Sequence, residues 1–144
     1  MPPTNEPVNE GSLQELVDHL DRYPIEAFQF VQQGLGYTVE KLHGGLTDPE
    51  ANRHVTGVQL CDGLREYSRL KWGLLARMVL RRWNINSTFD FGRIVFGMIE
   101  HGLMHRTDED SIEDFRDVYD FKTAFEDGYR ISLGPPEEVT GGRS

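Results

Sequence analysis

The stretch Ser87-Thr88-Phe89-Asp90-Phe91-Gly92-Arg93-Ile94-Val95-Phe96-Gly97-Met98-Ile99-Glu100-His101-Gly102 decides the fold. Phe91, Ile94, Val95, Met98 and Ile99 fall at i, i+3, i+4, i+7 and i+8, which is one face of a helix over 88–101. Phe89 and Phe96 add an apolar stripe on another face. A helix apolar nearly all round belongs inside a core. Ser87 or Thr88 caps its start, and Gly102 stops it. Gly92 and Gly97 each cost roughly 1 kcal/mol of helix propensity, tolerable where another backbone packs closely.

Working upstream, Asn84 to Ser87 reads as a turn, preceded by a helix over 74–83. That helix places Leu75, Met78, Val79 and Arg82 on one side, with Arg77 and Arg81 on another. Thr56 and Gln59 form a capping box for a helix running to about Trp72, ended by Gly73. The segment 44–49 is a loop rich in glycine, Asp and Pro. Before it, Ile25, Phe28, Val31, Leu35, Val39 and Leu42 recur on one helical face, with Pro24 in the first turn. Gly34 and Gly36 leave room for a break in that helix. Ser12 and Glu15 offer a capping box for a first helix over 12–21.

Downstream, Leu103 to Arg106 reads as a short strand, and Thr107 with Asp110 and Ser111 with Asp114 cap helical turns. A last helix is expected over 120–127, and Tyr129 to Leu133 alternates like a strand. The expectation is a mainly α chain, α+β at most. It is one compact multi-helix domain over 12–133, with a small sheet in the C-terminal half. The flanks 1–11 and 134–144 are rich in Pro, Gly, Asn and Glu and poor in apolar anchors, and are expected to be disordered tails.

The chain is 144 residues, the size of one domain, with 38% hydrophobic and 27% charged residues. Cys61 is the only cysteine, which excludes an intramolecular disulfide. No run approaches 18 apolar residues and no signal peptide opens the chain, so a cytoplasmic location away from membranes is expected. Charge is segregated. Residues 1–52 hold two basic and nine acidic residues, residues 53–93 eight and three, and residues 94–144 five and twelve. The net charges of −7, +5 and −7 give −9 overall, which argues against a simple polyanion binder. Within the basic band 65–93, Arg77, Arg81 and Arg82 have no acidic residue three or four positions away. They need partners from outside the helix, either the acidic flanks of the same chain or another molecule, and are the candidate partner surface.

Motifs for catalysis are weak. Tyr67 and Lys71 match a Tyr-x-x-x-Lys spacing, but the dinucleotide fold that this chemistry requires has no glycine fingerprint here. His101 and His105 are four apart with Gly102 between them, no third nitrogen or sulfur ligand sits nearby in sequence, and a metal site would need His43 or His54 to approach in space. Cys61 sits beside Leu60 and Leu64, where a thiol packs as a small apolar group. The run from Asp108 to Asp127 holds nine acidic and two basic residues interleaved with Phe115, Tyr119, Phe121 and Phe125. Acids suit helix starts and aromatics suit anchoring, so a structural role is the reading. No catalytic, cofactor-binding or metal residue is assigned.

Two helices, a turn at 84–87, a third helix and the segment Gly102 to Arg106 resemble a winged-helix layout. That layout implies a recognition helix, yet 87–91 carries one acid, two aromatics and no base. A second resemblance spans about 24–130. It rests on Phe28-Gln29-Phe30-Val31, His54-Val55-Thr56-Gly57, Gly63 to Tyr67, Asp90 to Phe96, Glu113-Asp114-Phe115 and Tyr119-Asp120-Phe121. These segments resemble a bacterial family largely confined to planctomycetes and verrucomicrobia and without an assigned activity. It implies provenance and supplies no site residues. The expected function is a non-catalytic protein-interaction domain of adaptor or regulatory type. The alternative is a nucleic-acid-associated regulatory domain using the basic band 65–93.

Overall fold

The computed structural model describes residues 10–44, 54–105 and 107–127, excepting the side chains of residues 10, 11, 126 and 127. Five α-helices follow in order: α1 (Glu10–Leu20), α2 (Ile25–His43), α3 (Gly57–Trp72), α4 (Ala76–Arg82) and α5 (Thr88–Glu100). A 3-10 turn, Gly73–Leu75, links α3 to α4, another covers Ile112–Phe115, and a π-helical turn covers Lys122–Asp127. The described residues are mainly α and contain no strand.

α5 is the axis of the core. Phe91, Ile94, Val95 and Met98 are fully buried and Phe96 nearly so. The two glycines answer to close neighbours. A Cβ at Gly92 would lie 2.8 Å from Phe115 Cβ, and one at Gly97 would lie 3.1 Å from Leu20 Cδ1. Ser87 is the N-cap, and the Asp90 carboxylate reaches back to the backbone N–H groups of Asn86 (2.9 Å) and Ser87 (3.2 Å). The other carboxylate oxygen accepts from Tyr23 Oη and, at 3.1 Å, from Arg93. This buried acid ties the α1–α2 turn to the start of α5. Thr88, the other candidate cap, is buried instead. It donates to the Phe115 carbonyl at 2.6 Å and accepts from Val118 N–H at 3.1 Å.

α2 runs unbroken through Gly34 and Gly36, with Pro24 just outside its first turn. Gly34 is a contact residue: a Cβ there would sit 2.2 Å from Leu64 Cδ2. Gly63 does the reverse, its place for a Cβ lying 1.8 Å from Thr38 Oγ1. α2 and α3 therefore interlock through one glycine each. α3 has the expected ends, a Thr56–Gln59 capping box and Gly73 with φ +54°, a conformation that suits glycine.

Two expectations need correction. The first helix begins at Glu10, so Ser12 lies inside it and residues 10 and 11 belong to a helix. No strand forms at 103–105. There, Gly102 (φ +73°) and Leu103 donate to the carbonyls of Ile99 and Met98, closing α5 in a Schellman cap that uses the chain a strand would need. The winged-helix layout thus has no sheet among the described residues. In α4 the side carrying Leu75 and Met78 points outward, and the buried positions are Ala76 and Leu80. Asn84 (φ +64°) ends α4 in the same way as Gly102 ends α5, with Ile85 N–H donating to the Leu80 carbonyl. The expected loop beyond Gly44, the strand at 129–133 and most of both expected tails lie outside the described residues.

Candidate docking surface

Where α3 ends, Gly73 turns the chain sharply into the 3-10 turn and α4. Around that bend Leu70, Leu74, Leu75 and Met78 are 69, 64, 56 and 54% exposed. Four large apolar side chains showing more than half their surface within nine residues form a patch, in contrast to the scattered exposed residue normal on any protein. Ala76 and Leu80 take the inward positions, so the bend cannot turn these four in without turning those two out.

The patch lies in a stretch of unusual charge. From Tyr67 to Phe89 the sequence has no acidic residue and five basic ones, Arg69, Lys71, Arg77, Arg81 and Arg82. Arg81, Arg82 and Lys71 are exposed. Lys71 lies 5.7 Å from the ring centroids of both Tyr67 and Trp72, on the edge of a row of aromatic rings. In that row Phe30 stacks on Tyr67 at 5.6 Å and approaches Trp72 at 5.1 Å. The candidate arginines therefore divide. Arg77 is half-buried, donates to Asn86 Oδ1 at 3.1 Å and lies 5.4 Å from the Phe121 ring. It faces the fold, whereas Arg81 and Arg82 face solvent.

Beside Leu70 the outer side of α3 borders an open groove of about 420 Å³, lined by Asp62, Arg65, Glu66, Arg69 and Leu70. A second groove of about 480 Å³ meets it at Asp62 and Arg65 and continues past Tyr119 to Thr123. Arg65 Nε donates to the Ala124 carbonyl in the π-helical turn (3.2 Å), and Tyr119 Oη donates to the Cys61 carbonyl (2.6 Å). Burial pushes the Tyr119 hydroxyl well above its ordinary range. At the α2 side of the first groove, Glu66 accepts from Lys41 and Tyr37, and these bonds hold its carboxyl below the usual range. The Glu66 bond, with burial, pushes Tyr37 up to about 12.

The residues of the catalytic and metal motifs have other partners. Tyr67 Oη donates to Gln33 at 3.2 Å, so the Tyr67–Lys71 pair sits on a helix surface with an ordinary amide partner. His101 donates to the Gly97 carbonyl (3.2 Å), and its ring centroid lies 5.6 Å from that of His19. His43 bonds the His54 carbonyl at 2.9 Å, and His54 Nε2 lies 3.6 Å from Asp110. His105 is exposed. Among the described residues no three His, Cys, Asp or Glu side chains are grouped to hold a metal ion. Cys61 is buried, and that burial pushes its thiol upward, away from the thiolate a nucleophile needs. In the acidic run Phe115, Phe121 and Phe125 are buried while Asp108, Glu109, Glu113 and Asp117 are exposed, so the aromatics anchor and these acids face water; Asp110 is buried.

Sequence reasoning named the arginines but missed the four apolar residues beside them. The usable signal was Ala76 and Leu80, an i, i+4 pair competing with Leu75 and Met78 for the inward face. No helix among the described residues is long and apolar enough to cross a membrane. No protein-family model matches the chain, and no curated protein or solved structure is significantly similar to it.

Proposed function

We propose that this chain is a non-catalytic protein-interaction domain, of adaptor or regulatory type, that docks a partner at the bend between α3 and α4. The observation that carries this reading is the exposure of Leu70, Leu74, Leu75 and Met78 within nine residues, in a stretch where Lys71, Arg81 and Arg82 are exposed as well. An apolar centre with a polar, charged rim is the anatomy of a protein interface. The rest of the described surface supplies no convergent set of nucleophile, base and enclosed pocket.

The test is affinity purification from the native host with three baits: wild type, Leu74→Ser with Met78→Ser, and Val58→Ser as an exposed control. A protein retained by wild type and by the control but lost with the double variant is the expected result. An unchanged set of proteins across all three baits would sink the reading.

The second reading, a nucleic-acid-associated regulatory domain, draws support from the acid-free basic stretch. Against it, the helix a winged-helix layout would use for recognition is α5, which is buried. Leu74, Leu75 and Met78 also interrupt the arginines. Phosphate contacts would show as a steep loss of duplex binding with salt, reduced by Arg81→Glu.

A further inference from the structure

We infer that the partner element taken by the α3–α4 bend is an acidic amphipathic helix of another protein: a leucine-type stripe flanked by carboxylates. The inference rests on the docking reading above and adds the chemistry of the occupant. An apolar stripe is required by Leu70, Leu74, Leu75 and Met78, which leave water only against another apolar surface. Carboxylates at its margins complement Lys71 and Arg82, both exposed in a stretch of twenty-three residues without an acid of its own.

Three other occupants fit less well. A second copy docking bend to bend would set Arg81 and Arg82 against their own equivalents, and like charges facing each other are repulsive. Duplex DNA and an anionic membrane present negative charge over a far larger area than the patch. Screening at physiological salt confines attraction to about 8 Å, so a local acid rim is felt while remote charge is not. An acidic helix is the smallest element that supplies both a stripe and a rim. Four apolar side chains are a small contact, so the association is transient.

The experiment measures binding of labelled helical peptides to the full chain. One peptide carries a leucine stripe with glutamates elsewhere, and its twin carries the same stripe with lysines. Random DNA duplex and phosphatidylserine vesicles are the other probes. The expected result is at least tenfold tighter binding of the glutamate peptide, weakening as salt rises. Leu74→Ser with Met78→Ser should abolish binding of both peptides, and Arg81→Glu with Arg82→Glu should reverse the preference. Equal or tighter binding of the lysine peptide, lost in the apolar variant, would overturn the acidic partner and leave the docking reading standing. Binding of neither peptide, or of both undiminished by the apolar variant, would overturn the inference. In that case the purification test above decides the docking reading separately. Tighter binding of duplex or vesicles, abolished by the same substitutions, would replace the helix with that ligand.

Discussion

α4 and α5 are neighbours in sequence, both with apolar residues at helical spacing and both closed by a left-handed residue, yet one is the axis of the core and the other turns half its apolar side to water. Spacing alone does not separate them. Phe91, Ile94, Val95 and Met98 repeat at helical intervals, and so do Leu75, Met78 and Val79. The difference lies in what arrives from elsewhere. α5 is met by Leu16 and Leu20 of α1 at Gly97, by Phe115 at Gly92, and by Phe121, whose ring lies 5.7 Å from Phe91. α4 is held on the side of Ala76 and Leu80, which leaves Met78 outside. Periodicity reports that residues share a face. Only tertiary contacts decide whether that face is inside.

The largest expected effect is at α5. Phe91→Ala should cost about 3–5 kcal/mol, the usual penalty for emptying an aromatic site in a core, read from the denaturant midpoint with an unchanged m-value. A loss under 1 kcal/mol would mean that α5 is not the axis of the core. Next comes the polar pin at its start. Tyr23→Phe removes a hydrogen bond to the buried Asp90 carboxylate and should cost about 1.5–3 kcal/mol at neutral pH. Burial first, and then Asp90, raise the Tyr23 hydroxyl above its ordinary value. The folded state therefore holds this proton more tightly than the unfolded state. The associated stability is complete below the unfolded value of about 10 and is lost as pH rises toward the folded one. Unfolding curves in that alkaline window should fall less steeply for Tyr23→Phe than for wild type. The slope should not vanish, because Tyr119 is raised by burial as well.

At the other helix the effects shrink. Gly73→Ala puts a side chain at φ +54° and should cost about 1–2 kcal/mol, although nothing lies within 4 Å of the added carbon. Smallest of all, Leu75→Ser and Met78→Ser should each change stability by no more than about 0.5 kcal/mol, because both side chains are already solvated. If either cost as much as Phe91→Ala, the contrast between the two helices would collapse and the docking surface with it.

Features that depend on neighbours along the chain are legible in the amino-acid order itself. The Thr56–Gln59 box and the Gly73 stop bound α3 because caps are local chemistry. The buried stripe of α5 is legible because the helix is apolar on nearly every side and leaves no choice of face. Features settled by distant residues are not. The run Leu103–Met104 looks extended in isolation, but the carbonyls of Met98 and Ile99 claim the N–H groups of Leu103 and Gly102. Gly34 looks like a break and is a seat for Leu64, thirty positions away. Of the candidate surface, the charge is legible and the exposure is not, since exposure depends on which side of α4 the core claims.

The paired glycines of α2 and α3 have a mechanical consequence. Leu64 seats at Gly34 and Thr38 seats at Gly63, so each helix carries one tooth and one notch for the other. Sliding either helix by a turn would drive a side chain into backbone, and rotating it would unseat both teeth together. The two helices thus behave as one lever. A pull applied at Leu74, just beyond the C-terminal end of α3, passes to α2 through these two seats, which oppose slippage between the helices.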